Sequence, residues 1–140
     1  MPASVLVVED NADAREMLLL VLAEQGFTVT GAEDGSAALK LIESRLPDLI
    51  ITDIQMPNLN GVGLIKELRK RPEMRDVPIL IFSACPDEVL SDAIRSGANA
   101  TAPKPLQLDP FIRIIKSLLT ATAFNLLGHL CCLNGGILFP

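Results

Sequence analysis

Four places in the chain carry side chains able to do chemistry together: the acidic pair Glu9-Asp10 in "VVEDN", Asp53 in "TDIQMPNLNG", Ser83 in "FSA" and Lys104 in "KP". Taken singly, each has an ordinary use. Asp53 suits a strand-end turn or a helix cap, Glu9 and Asp10 suit the N-terminus of a following helix, Lys104 a solvated surface and Ser83 a satisfied strand-end hydroxyl. Their combination points elsewhere. An ionised carboxylate is a competent phosphoryl acceptor when cations lie close enough to neutralise the oxygens of the group being transferred. Carboxylates crowded on one rim repel one another, and protonation or a bound cation normally relieves that repulsion. A donor set of oxygen alone, without His or Cys, points to Mg²⁺, which keeps several waters and takes one or two carboxylates.

Those residues have to be delivered by elements, and strand-like and helix-like stretches alternate along the chain. Ser4 to Val8, Phe27 to Ala32, Leu49 to Thr52 and Pro78 to Ser83 are short apolar or β-branched runs, and Ala100 to Ala102 is a weaker fifth. Between them, Ala12 to Gln25, Asp34 to Arg45, Gly61 to Arg71 and Asp87 to Ser96 carry apolar residues at helical spacing, the first capped by Asn11 or Asp10 and stopped by Gly26. A last helix is expected to start at Asp109-Pro110, with the Asp as cap and the Pro at the first helical position. Five βα units with short connections imply an α/β fold, one parallel sheet with helices on both faces. Pro103 closes the weak strand, so that strand is expected at an edge. In such a sheet, ligands gather at the carboxyl ends of the strands. Glu9, Asp10, Asp53, Ser83 and Lys104 all stand there, although they are scattered from residue 9 to residue 104.

Composition narrows the function further. The 140 residues are 49% apolar and 21% charged, with five phenylalanines as the aromatics, which is globular and implies an aliphatic core. A net charge of −5 argues against a direct nucleic-acid partner, because such binding needs clustered Lys and Arg to displace counterions. Met-Pro-Ala-Ser-Val has neither the basic region nor the apolar run of a secretory signal, so a cytoplasmic location is expected. Cys85, Cys131 and Cys132 lack the spacing of a disulfide framework or zinc site and read as free thiols, and His129 as incidental.

The four motifs, in this order and spacing, resemble the receiver domain of two-component response regulators over roughly Ser4 to Leu119. The resemblance implies a doubly wound, flavodoxin-like five-stranded sheet of order 2-1-3-4-5. It implies that Asp53 accepts a phosphoryl group from a histidine kinase or phosphotransfer protein, that Mg²⁺ is the cofactor, and that a downstream effector protein reads the modified state. Asp10 would bind the metal directly, Glu9 mainly through water, and Asp53 and the main-chain carbonyl of Gln55 would complete the set. Ser83 and Lys104 would contact the phosphoryl oxygens, while Pro57 and Gly61 shape the loop after the acceptor and Pro105 follows a cis peptide. On this reading the chain is a switch and not a true enzyme.

Two other classes compete with it. An aspartyl-nucleophile phosphatase shares an Asp, a hydroxyl, a Lys and Mg²⁺, but needs an acid two residues after the nucleophile, where this chain has Gln55. A flavodoxin-type flavin binder needs a phosphate-cradling loop after the first strand, and "EDNAD" would repel a phosphate. One departure from the family bears on output: the position three residues before the lysine, usually aromatic, is Thr101. No helix-turn-helix or catalytic segment comes after the last helix, which leaves open a stand-alone receiver or a piece of a longer protein.

The stretch from Thr120 to Pro140 carries no formal charge and is read apart from the receiver domain of residues 1–119. Three readings stay open for it: a membrane anchor, disfavoured by Asn125, His129, Asn134 and Gly135-Gly136; a continuation of the last helix to about Leu127, ended by Gly128; or a segment foreign to the domain. The favoured expectation is a segment that promotes self-association, as in a homodimer, or is incidental, and takes no part in phosphoryl chemistry.

Overall fold

The computed structural model describes residues 2–133, with side chains to residue 122. Five strands form one parallel sheet: β1 (Ser4–Val8), β2 (Thr28–Ala32), β3 (Leu49–Thr52), β4 (Ile79–Ser83) and β5 (Ala100–Pro103), in the order β2-β1-β3-β4-β5. The expected α/β architecture and strand order are both present, with the weak fifth strand at an edge. Helices α1 (Ala12–Glu24), α2 (Gly35–Ser44), α3 (Gly61–Arg69), α4 (Asp87–Ser96) and α5 (Leu108–Leu133) fill the connections, with a short 3₁₀ turn at Pro72–Met74.

The two faces of the sheet sort the helices because side chains alternate along each strand. Leu6 and Val8, Ile50, Ile79 and Ile81 pack with Ala38 and Ile42 of α2, Leu64 and Leu68 of α3, and Ala93 of α4. Val5 and Val7, Leu49 and Ile51, Leu80 and Phe82 pack with Leu18 and Leu22 of α1 and Phe111, Ile112 and Ile115 of α5. β3 and β4 are buried at every residue, which is why they read as unbroken apolar runs.

Local chemistry sets most helix ends. Asn11, not Asp10, caps α1, its side chain accepting the Ala14 N–H at 2.9 Å. Asp34 and Asn60 cap α2 and α3 in the same way, accepting from Ala37 and Gly63 at 2.8 and 2.9 Å. α3 stops at Arg69, two residues short of expectation, because a residue before proline is pushed out of the helical region, and Arg71 before Pro72 is extended.

Two expectations for the last helix need correction. Asp109 is not the cap: the Gln107 carbonyl accepts the Phe111 N–H at 3.1 Å, so the helix starts at Leu108 and Asp109 and Pro110 sit in its first turn. The first turn has no intrahelical donors to lose, which makes the proline harmless one step further in. Nor does Gly128 end the helix, which runs on to Leu133; a single interior glycine costs about 1 kcal/mol relative to alanine, too little to break it. The side chains of Phe124, Leu127, His129, Cys131 and Cys132, and the segment 134–140, lie outside the described residues. Cys85 is a free, half-buried thiol, and no described helix is long and apolar enough to cross a membrane.

Candidate phosphoacceptor site

The parallel ladder carries the chemistry-bearing residues to one rim. Val8 pairs with Thr52, and the Asp53 N–H donates to the Val8 carbonyl at 3.2 Å, so Glu9 and Asp53 leave adjacent strand ends together. On the other side, Ser83 pairs with Pro103 and accepts the Lys104 N–H on its carbonyl at 3.2 Å. The Lys104–Pro105 peptide is cis, as expected from the resemblance.

Lys104 joins the two acids. Its Nζ donates to Asp53 Oδ2 at 2.7 Å and to Glu9 Oε2 at 3.2 Å, bridging residues 51 and 95 positions away. The Glu9 side chain is 4% exposed and that of Asp53 12%, so the pairs sit largely out of water, where charge interactions are strong. The remaining oxygens are also engaged: Asp53 Oδ1 accepts the Ile54 N–H at 2.6 Å and Glu9 Oε1 the Asn11 N–H at 3.3 Å. The Ser83 hydroxyl accepts the Cys85 N–H at 3.1 Å and is itself buried.

This packing perturbs the ionisable groups. Burial pushes the Glu9 carboxyl above the ordinary glutamate value, against the pull of the Asn11 N–H and of Lys104, and the negative charge of Asp53 adds to the rise. Burial alone would lower the Lys104 ammonium, but the hydrogen bond and charge of Asp53, followed by those of Glu9, outweigh it and leave Lys104 above the usual lysine value. Lys104 is therefore charged at neutral pH, and Glu9 is the acid whose ionisation the fold opposes.

The loop after Asp53 is built around a close approach. A Cβ on Gly61 would lie 2.3 Å from the Asp53 carbonyl oxygen and 2.8 Å from Ile54 Cα, so only glycine lets α3 start against the end of β3. Its N–H donates to the Ile54 carbonyl at 2.9 Å. Asn58, at φ 66°, donates its side-chain amide to Asp34 Oδ2 at 2.9 Å and ties the loop to the cap of α2.

Not every expected member is joined to the trio. Asp10 and Gln55 follow β1 and β3 on the same rim and are exposed. The expected crowd of three carboxylates is, in this geometry, two carboxylates closed around an ammonium. Among the described residues, no three His, Cys, Asp or Glu side chains are grouped to hold a metal ion. The donor chemistry nevertheless suits magnesium, which needs one or two carboxylates with water. Glu9, Asp10 and Asp53 against Lys104 leave three negative charges facing one positive, and every donor is a hard oxygen.

Two further residues shape the site without a signal in the sequence. Arg15 Nη1 donates to the Glu9 carbonyl at 2.7 Å and fixes the turn from which Glu9 reaches Lys104. Phe82 lies beneath the ammonium, its ring centroid 5.5 Å from Lys104 Nζ. A phenylalanine inside "PILIFS" reads only as strand core, and an arginine one turn into a helix only as solvated.

A rim of acids with one half-buried ammonium, at the carboxyl ends of a 2-1-3-4-5 sheet, defines a class of regulatory α/β domain. The chain belongs to the response regulator receiver domain family, whose model matches residues 5–116. Response regulator MprA of Mycolicibacterium vanbaalenii is 35% identical over 125 residues, covering 87% of this chain and 52% of its own length. A 14.6 kDa protein of Leptolyngbya boryana is 34% identical over 113 residues, covering 80% and 86%. Among solved structures, the chemotaxis protein CheY4 of Vibrio cholerae superposes with a TM-score of 0.80 at 27% identity, covering 84% of this chain and 99% of that one. The chain thus spans about half the length of MprA. Receiver domains are signalling switches, and phosphorylation and Mg²⁺ are general features of the family.

Proposed function

We propose that this chain is a phosphorylation-controlled switch in which Asp53 accepts a phosphoryl group from a histidine kinase or phosphotransfer protein, and in which the modified state binds a downstream effector differently. The observation that carries this reading is the Lys104 ammonium held between Asp53 and Glu9 at the carboxyl rim. In the step, Asp53 Oδ2 attacks phosphorus, an O–P bond forms as the donor's N–P bond breaks, and the departing imidazole takes up a proton. Lys104 then leaves the carboxylate for a phosphoryl oxygen, and Ser83 turns its hydroxyl from the Cys85 N–H towards another. These contacts exist only in the phosphorylated state, which is what a two-state switch requires.

Asp10, Asp53 and the Gln55 carbonyl would hold Mg²⁺ directly and Glu9 through water; when bound, the ion supplies positive charge to the phosphoryl oxygens. Gln55 has no acidic proton to give a leaving group, which favours a switch over a phosphatase. Incubation with acetyl phosphate and Mg²⁺ should add one phosphoryl mass, and Asp53→Asn should abolish it; undiminished labelling of that variant would sink the assignment. Lys104→Ala should slow labelling while leaving Mg²⁺ affinity intact or tighter, since it removes a competing cation.

A further inference from the structure

Thr101 stands where the family usually has an aromatic, and it is too small to fill an aromatic's space. A different aromatic route leads from the rim. Phe82 is the penultimate residue of β4, 4% exposed, and Lys104 Nζ lies 5.5 Å from its ring centroid, within cation–π range. The same ring meets that of Phe111 with centroids 5.1 Å apart and planes at 54°, a tilted geometry favourable for aromatic pairs. Phe111 is 2% exposed, closes the first turn of α5 and belongs to the same buried cluster as Ile112 and Ile115.

The ring suits a lysine that must move. A third carboxylate would hold the ammonium against transfer, whereas a π face attracts the charge without taking a hydrogen bond from it. Lys104 can therefore exchange the Asp53 oxygen for a phosphoryl oxygen while staying over the ring. Any displacement of Lys104 then bears on a buried ring that is packed against α5. Close-packed interiors pass such shifts on, since neighbours have no void to absorb them.

We propose that Phe82 is a positioning residue for Lys104 and that it carries the displacement of that ammonium to α5 through Phe111. The proposal rests on Lys104 changing partner when Asp53 is phosphorylated, and one of its readouts does not depend on that event.

Phenylalanines carrying one, two and three ring fluorines at position 82 keep the shape of the ring while draining its π face. Along the series, the ring-current displacement of the Lys104 Hε signals, followed by NMR at one fixed pH, should shrink steadily as the ammonium leaves the ring face, and acetyl phosphate labelling should slow by roughly threefold to tenfold at the third fluorine. Mg²⁺ affinity should not change. Lys104 Hε signals that stay fixed across the series overturn the positioning role. Phe111→Leu should keep the labelling rate but lose most of the beryllofluoride-dependent change in hydrogen exchange over residues 108–116; a full response in that variant overturns the coupling. Fluorine-dependent Lys104 Hε signals in a protein that never labels would support the positioning role and reject phosphorylation instead.

Discussion

At the scale of single residues, the site is a contest over Lys104. Its raised pKa means that its pairing with Asp53 and Glu9 contributes stability in full below the ordinary lysine value, about 10.4, and loses it as pH rises through the folded value. That window is alkaline, so Lys104 is a fixed cation in the working range. Glu9 behaves in the opposite sense to a usual paired acid. With its folded pKa raised, its favourable contribution is present below the ordinary glutamate value, about 4.3, and is lost as pH rises through the folded value. The charged form of Glu9 is therefore the one that costs stability. Glu9→Gln should raise the denaturant midpoint at pH 7 by stability on the order of 1 kcal/mol, a gain that shrinks towards pH 4, because Asp53 still holds Lys104. The same variant should weaken Mg²⁺ binding less than Asp10→Ala does. A lower midpoint at pH 7 would show that Glu9 is needed as Lys104's partner. The sequence made these residue types visible, since acids ending apolar runs are conspicuous. It did not reveal that two of the three acids close on the lysine, because that depends on burial and side-chain direction.

At the scale of elements, the end of the domain opposite the rim is pinned by one guanidinium. Arg69 donates to the carbonyls of Met74, Arg75 and Gly97 at 2.6, 3.3 and 3.0 Å, and to Asn99 Oδ1 at 2.9 Å. Asn99 Oδ1 also accepts the Ile79 N–H at 2.8 Å, so α3, the 3₁₀ turn, α4 and the starts of β4 and β5 share one hub. Gly97 has φ 126°, and a Cβ there would lie 2.6 Å from Arg69 Cγ. Gly97→Ala and Arg69→Lys should each cost roughly 1–3 kcal/mol, read as a lower denaturant midpoint, with acetyl phosphate labelling per folded molecule unchanged. Labelling that fell with stability intact would tie this hub to the rim. Strands and helices were legible because β-branched runs and i, i+3, i+4 spacing are local signals. The hub was not: Arg69 reaches residues 28 and 30 positions away, and most of its acceptors are carbonyls that carry no residue signature. Helix ends were misjudged where backbone geometry outranked side-chain preference, at Pro72 and at Asp109-Pro110.

At the scale of the whole molecule, α5 joins the receiver to the uncharged C-terminal stretch. It contributes Phe111, Ile112 and Ile115 to the core, with Ile114, Leu118 and Leu119 packed against that core, and continues as one helix to Leu133, past the family match ending at residue 116. That extension carries no formal charge, whereas a solvent-facing helix normally has a polar face. Truncation after Thr120 should preserve acetyl phosphate labelling and shrink any oligomer measured by light scattering; loss of labelling in a still-folded truncated protein would bring the extension into the chemistry. Fold and rim were legible because four motifs had to agree in order, while the length of α5 was not, since a glycine that often ends helices lies inside it. The switch stands or falls on where the phosphoryl group lands. Borohydride reduction of the acetyl phosphate-treated protein, followed by peptide mass mapping, converts an aspartyl phosphate to homoserine and reports its position. The expected result is homoserine at residue 53 and nowhere else; modification at Glu9, Asp10 or any other position, with Asp53 intact, would contradict the account.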